Sequence, residues 1–319
     1  MELYPWLEPM WQRWQLMLTR HAIPNAMLCN AKVGTGMEQL VSRLAAAIVC
    51  KNADDEACGF CHSCELSQSG HHPDVHWVQP EKDGKAISVD QIRDANRYAI
   101  ESSQLGGKRV IIIHPAEAMN ESASNALLKT LETPPERCVF ILLSEDKHKL
   151  LPTITSRCQH WQLPIIKKTV LLEWLTQKSS KSAASDWFCI KMYAQSPLQA
   201  LEFIEQDKHL QWQNLLELLS QGLTQPEASL NPVQTFFKEE PLEKLTWLLY
   251  LFNDLQKAHF GVCDGPFPSQ FESLIHEVSY EKAHHHYQQV QKLYRSLHTA
   301  SGLNAELLIL DWYLGFIQS

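Results

Sequence analysis

Four cysteines carry the densest chemistry in this 319-residue chain: Cys50, Cys58, Cys61 and Cys64, spaced C-x7-C-x2-C-x2-C. Two-residue gaps let consecutive thiolates turn toward one ion, and four soft sulfurs around one centre suit tetrahedral Zn²⁺. Four protein ligands leave no open position for water, so the ion would be structural. An iron–sulfur cluster is the competing reading. It is disfavoured because the isolated cysteine precedes the closely spaced three and no Cys-Pro pair ends the run. His62, His71 and His72 are near enough in sequence to replace a sulfur, although four thiols already fill the shell. The other cysteines (Cys29, Cys138, Cys158, Cys189 and Cys263) are scattered and are expected to pack as small apolar side chains in a reducing compartment.

A second constellation is defined by what it lacks. Ala31-Lys32-Val33-Gly34-Thr35-Gly36-Met37-Glu38 lies between a short apolar stretch, Ala26–Cys29, and an apolar run, Leu40–Cys50, that reads as a helix. In that strand–loop–helix setting a glycine-rich loop normally cradles phosphates. A working loop needs a lysine for the β/γ-phosphates and a Ser/Thr hydroxyl for Mg²⁺. Here those places hold Met37, which is uncharged, and Glu38, which repels phosphate; the first glycine is Ala31. The acidic pair that should follow the strand Val110–Ile113 is absent as well, its places taken by His114 and Pro115, with Glu117 three positions late. No functional ATP binding is expected. By themselves these residues also fit an α/β domain that never bound nucleotide.

The elements that must position these groups alternate through the first half. Strands are predicted at Ala26–Cys29, Asp74–Val78, Val110–Ile113, Cys138–Leu143 and Gln159–Leu163, with helices over Gly36–Cys50, Val89–Glu101, Glu121–Glu132 and Lys147–Ile154. Uniformly apolar strands such as Val110–Ile113 suit a parallel sheet covered on both faces, and the alternation predicts a doubly wound α/β domain. After Lys167 the β signals stop. A helix over Val170–Gln177, a polar loop at Lys178–Ser185 and a helix start at Ser196-Pro197-Leu198-Gln199 predict a small helical domain. The remainder is Leu/Trp-rich and helical, with breaks at Gly222–Pro232 and Gly261–Pro268, and the His284-His285-His286 run reads as a solvated helical face.

The composition, 45% hydrophobic and 20% charged, is that of an ordinary globular protein. A net charge of −8 argues against a free-standing, strong DNA binder. The N-terminus carries Glu2 and Glu8 without a basic leader, and Leu7, Met10, Trp11, Trp14, Met17 and Leu18 fall at helical spacing, so a signal peptide is not expected. No apolar run approaches the roughly 18–20 residues that span a membrane. A cytoplasmic location is the expectation.

Asn125-Ala126-Leu127-Leu128-Lys129-Thr130-Leu131-Glu132-Thr133-Pro134-Pro135, followed by Ser156-Arg157-Cys158, closely resembles the clamp-loader branch of the AAA+ ATPases. Tyr4-Pro5-Trp6-Leu7, the four cysteines after the first helix and Gly302-Leu303-Asn304-Ala305-Glu306-Leu307-Leu308 narrow the likeness to the delta-prime family of bacterial DNA polymerase III clamp-loader subunits. The resemblance runs from end to end and is most specific over the first 165 residues. It departs at Thr133, where the family usually has a second glutamate, and at Leu198, where working members carry a nucleotide-sensing arginine.

The resemblance implies a RecA-like AAA+ domain with a parallel sheet over 1–165 and an inserted zinc module at 50–64. It further implies a small helical lid domain over 166–207 and an all-α collar domain over 208–319. Functionally it implies a stator that helps load the sliding clamp onto primed DNA beside gamma/tau ATPase subunits and the delta subunit. Such a chain catalyses nothing alone, although it belongs to a nucleotidyltransferase holoenzyme. Arg157 would act as an arginine finger in the ATP site of the adjacent gamma/tau subunit, with Ser156 and Cys158 as packing and backbone support. Two other readings stand beside this one: an ATP-hydrolysing gamma/tau-type motor subunit, against which Met37, Glu38, His114 and Pro115 speak, and a zinc-dependent DNA-binding regulator, against which the net charge speaks. Arg93 and Arg97, four apart on a predicted helix, with Lys82, Lys85, Lys108 and Arg109, are candidates for weak, salt-sensitive phosphate contact, or simply a solvated face. The apolar stripe at Leu307, Leu308, Leu310 and Trp312 fits an oligomer contact or an intrachain core equally.

Overall fold

A computed structural model describes residues 3–52, 54–82, 84–179, 187–262, 269–300 and 302–318. Cys263, most of the predicted polar loop (180–185) and most of the second break (263–268) lie outside the described residues. The chain divides into two compact units, Met1–Trp174 with Ala194–Gln199, and Leu175–Tyr193 with Ala200–Ser319.

In the first unit every predicted strand is present: β1 Ala26–Asn30, β2 Val75–Val78, β3 Arg109–Ile113, β4 Cys138–Ser144 and β5 Gln159–Gln162. All neighbours pair in parallel, in the order β2-β3-β4-β1-β5. The order puts β1 between β4 and β5 while the chain leaves it for the far edge, so its carboxyl end opens at a switch point of the topology. β3 and β4 are buried along their whole lengths, which is why their sequences show no alternation. Removing one such side chain, as in Ile112→Ala, costs about 2–5 kcal/mol.

The helices of this unit are α1 Glu8–Thr19, α2 Met37–Val49, α3 His62–Gln68, α4 Val89–Ile100, α5 Glu121–Glu132 and α6 Pro152–Thr155. α7, Lys168–Lys178, is shared between the units. α1 buries Met10, Trp11, Trp14 and Leu18, the stripe its spacing predicts, with Met17 at the margin. α4 starts at a capping box, Ser88 with Gln91, and α5 at Asn120, whose side chain accepts from the Ala123 N–H. The single helix predicted over Lys147–Ile154 is instead a 3₁₀ turn, Lys147–Lys149, and then α6. Leu150 and Leu151 separate them, Leu151 with ψ 133°, the extended state that a following proline imposes.

Helices make up the described part of the second unit: α8 Trp187–Met192, α10 Lys208–Thr224, α11 Pro226–Phe237, α12 Pro241–His259, α13 Ser269–Glu277, α14 Tyr280–Thr299 and α15 Ala305–Gln318. α9, Pro197–Glu205, begins in the first unit and ends in this one. The expected break at Gly222–Pro232 shrinks to Gln225. Gly222 lies inside α10, at a point where a Cβ would collide with the Tyr313 hydroxyl, which donates to the Leu218 carbonyl at 3.1 Å. Pro226 starts α11, and Pro232 is carried within that helix. Close packing against α15 thus overrides the local breaker.

Along α15 the core face is Ile309, Trp312, Tyr313 and Phe316, whereas Leu307 is 65% exposed. The histidine run is not a solvated face throughout. His286 is buried, its ring 5.2 Å from that of Phe316 and 6.1 Å from that of Phe252. Helical geometry explains the split, since three consecutive residues cannot share one side of α14. A polar cluster ties α8 to the later helices: Tyr193 donates to Glu243 at 2.9 Å, Lys208 pairs with Glu243 and with Glu240, and Lys191 pairs with Asp254.

Candidate functional site

The loop between β1 and α2 sits at the carboxyl end of the sheet, where the fold presents a nucleotide site, and it leaves little enclosed room beside it. The volume left among Cys29, Ala31, Val33, Met37, Glu38 and His114 is about 10 Å³, close to what one water needs. Met37 is buried, and the Glu38 carboxylate lies 3.5 Å from His114 Nε2. Glu38 also occupies the first turn of α2, where the helix dipole favours an anion. The loop backbone is held by the chain itself: the Trp6 indole N–H donates to the Thr35 carbonyl at 2.7 Å, and the Leu198 N–H to the Gly34 carbonyl at 2.9 Å. Gly36 has φ 77° and faces the Tyr4 ring, which a Cβ would strike. Tyr4 stacks on Trp6, and both meet the edge of Trp174 at 5–6 Å. Glu117 points elsewhere, accepting from the Glu145 N–H at 2.9 Å.

The sulfurs of Cys50, Cys58, Cys61 and Cys64 lie within 4.8 Å of one another, with Cys58 and Cys64 3.8 Å apart. Four Zn–S bonds of tetrahedral geometry require about 3.8 Å between sulfurs, so this cluster could hold a metal ion. Without an ion the thiols cannot ionise alike. The Cys64 N–H holds Cys61 down at about 6, and burial pushes Cys64 up to about 12. A dication would draw all four to thiolate. His72 is not a ligand. Its Nδ1 accepts from the Asp74 N–H at 3.0 Å and its Nε2 meets Ser63 Oγ at 2.6 Å, while Ser63 donates to the Val49 carbonyl at 2.7 Å. This directed chain requires a neutral, Nε2-protonated ring, and burial lowers the His72 pKa accordingly. It braces the cysteine module between the end of α2 and the start of β2.

Ser156-Arg157-Cys158 forms the turn after α6. Cys158 points into the sheet core with Ile154, Leu127 and Leu131, its thiol pushed up to about 12 by burial. Ser156 Oγ donates back to the Thr153 carbonyl at 3.1 Å. Arg157 projects outward, its side chain 35% exposed, with Nη1 donating to the Thr153 carbonyl at 2.9 Å and Nη2 to Glu132 Oε1 at 2.7 Å.

Of the basic residues weighed for phosphate contact, burial removes one, Arg109. Arg109 is 2% exposed and is structural: Nε lies 3.3 Å from Asp74, and Nη1 donates to the Tyr98 carbonyl. Asp74 in turn accepts from Ser103 and from the Gln104 and Leu105 N–H groups. A cation at the first position of a buried strand is buried with it, a placement the charge count does not reveal. Arg93 pairs with Asp90 at 2.8 Å and Arg97 with Asp94 at 3.0 Å on the exposed face of α4. The His72 brace, the aromatic seal of Tyr4, Trp6 and Trp174, and Glu132 beside Arg157 had no local sequence signal beyond their residue types.

The family described as DNA polymerase III, delta subunit, matches residues 6–167, and its C-terminal counterpart matches residues 206–318. The DNA polymerase III subunit delta-prime of Haemophilus influenzae is 34% identical over 97% of this chain and 95% of its own length. That of Escherichia coli K12 is 29% identical over 98% and 95%. A gamma subunit-related DNA polymerase III protein from Thermotoga maritima shares the fold with a TM-score of 0.50, at 19% identity over 98% of each chain. No described helix is long and apolar enough to cross a membrane. With the fold, both family matches and a near full-length relative in agreement, the chain belongs to the DNA polymerase III delta-prime subunit family.

Proposed function

We propose that this chain is a non-hydrolysing stator of a DNA polymerase III clamp loader. It contributes to loading the sliding clamp onto primed DNA by completing the ATP site of an adjacent gamma/tau subunit. One contrast supports this above all: the chain's own loop carries Met37 and Glu38 with little room beside them, while Arg157 stands at the surface on a turn anchored by Cys158. A guanidinium presented this way donates to γ-phosphate oxygens and offsets the charge that develops as the phosphoryl group leaves. The Ser156 and Cys158 contacts fit a supporting role. The four cysteines would hold one structural Zn²⁺, a dication whose binding to such sites is worth on the order of 10–16 kcal/mol in peptides.

In this reading the helices after residue 208 form the collar that meets the gamma/tau and delta subunits, 166–207 is the lid, and 1–165 is the AAA+ domain. The complex works in the cytoplasm as part of the polymerase holoenzyme, and this chain alone turns over no ATP. Calorimetry of the isolated chain should detect no ATP binding, and micromolar affinity would sink the stator reading. Total-metal analysis should return one zinc per chain. In a reconstituted complex Arg157→Ala should assemble normally and lose DNA-stimulated hydrolysis; an unchanged rate removes the finger role.

A further inference from the structure

We infer that Glu132 is a positioning residue for Arg157, aiming the guanidinium before the neighbouring nucleotide arrives. The inference rests on the reading of Arg157 as a group that acts on a neighbour's ATP. Glu132 is the last residue of α5 and Arg157 follows α6, yet their heads meet at 2.7 Å across a separation of 25 residues. The two backbones are locked beneath them. Leu131 and Cys158, the immediate neighbours on the inward side, belong to one buried cluster with Leu127 and Ile154. Inward residues therefore fix the spacing and outward residues face each other. The Thr153 carbonyl takes Nη1 while the Glu132 carboxylate takes Nη2, so two contacts from different elements define the plane of one guanidinium.

Two of the five N–H donors are used, and three remain for an incoming anion. The C-terminal end of α5 adds a negative dipole beside the arginine, which holds the cation in place without any group from outside. Glu132 is 53% exposed on its side chain, and an exposed pair of this kind adds little to stability. Its benefit lies in orientation: a long side chain left free must be ordered again at each hydrolytic event, and small misplacements of a catalytic group lower rates steeply.

Complexes reconstituted with Glu132→Ala, Glu132→Gln, Arg157→Ala and the Glu132→Ala/Arg157→Ala pair separate the possibilities. DNA-stimulated hydrolysis is followed against ATP concentration, together with the melting temperature of each isolated chain. Glu132→Ala should lower kcat by about 3- to 10-fold with KM within about twofold, and leave the melting temperature unchanged. Glu132→Gln, which keeps an acceptor oxygen, should recover part of the loss, and the double variant should be no worse than Arg157→Ala. If Arg157→Ala is slow but Glu132→Ala is normal, faster than wild type, or additive with it, the positioning role is overturned and the finger reading stands. If Arg157→Ala is itself normal, the finger reading falls and takes this role with it.

Discussion

The loop Ala31–Glu38 and the turn Ser156–Cys158 both carry residues of a nucleotide-handling pattern, but their side chains find partners in opposite directions. At the loop most contacts are made within the chain: Met37 is buried, Glu38 meets His114, and Trp6 and Leu198 occupy backbone carbonyls, with Val33 left exposed. At the turn only Cys158 goes inward, and Arg157 is left at the surface, held by the Thr153 carbonyl and the exposed Glu132 carboxylate. A motif whose contacts have become intramolecular now contributes to folding, whereas one whose charged group still faces out is available to another chain. The loop should therefore fail by destabilising this chain, and the turn by slowing its neighbour.

The sharpest break of that contrast comes from Arg157→Ala. On the proposed reading, hydrolysis at the neighbour's ATP site should fall by about 100-fold or more, read by rapid-quench kinetics, with stability within about 0.5 kcal/mol. A large loss of stability would show that the turn, too, had become structural. Acid is the next test, with the second unit as a control outside both regions. Burial among Phe252, Trp312 and Phe316 lowers the His286 pKa to about 4, with His285 and Lys282 adding to the effect. Because the folded pKa lies below the unfolded value near 6.5, the neutral ring stabilises the fold above that pH. The contribution, up to about 3 kcal/mol, is lost as pH falls from about 6.5 toward 4. Denaturation midpoints across that range should decline for the wild type and decline less steeply in His286→Leu, while Arg157→Ala should follow the wild-type curve.

Gly36→Ala probes the loop directly. A Cβ there combines a left-handed backbone with a collision against Tyr4, costing about 1–3 kcal/mol in urea titrations. The assembled complex should still hydrolyse ATP at the normal rate, and a matching loss of hydrolysis would mean that the loop retains a functional part. The smallest expected effect is from restoring the missing groups. Met37→Lys with Glu38→Thr should leave ATP binding undetectable, since Tyr4, Trp6 and Leu198 still hold the loop. Recovery of micromolar affinity would instead place the whole defect in those two side chains.

Much of the sheet was legible because buried parallel strands are apolar throughout, and Val110–Ile113 and Cys138–Leu143 admit little else. The cysteine spacing was legible for a related reason, since short gaps converge by local geometry alone. Arg109 was misread because charge and exposure are separate properties: its guanidinium enters with β3 and is satisfied by Asp74 and the Tyr98 carbonyl, partners 35 and 11 residues away. His286 was misread because a run of identical residues conceals helical phase.

Residue type and short-range spacing thus determined the strand set, the four-sulfur cluster, the absent lysine and acidic pair, and the retained Ser-Arg-Cys. Each depends on groups near one another along the chain. Only the tertiary structure decided that the loop is held from within, by bringing Tyr4, Trp6 and Leu198 onto it, and that Arg157 is paired with Glu132. These are contacts between distant segments, and their geometry is set by which faces the core buries. The α5–α6 anchor of Leu131 and Cys158 illustrates the reason: burying two apolar side chains dictates where their charged neighbours meet.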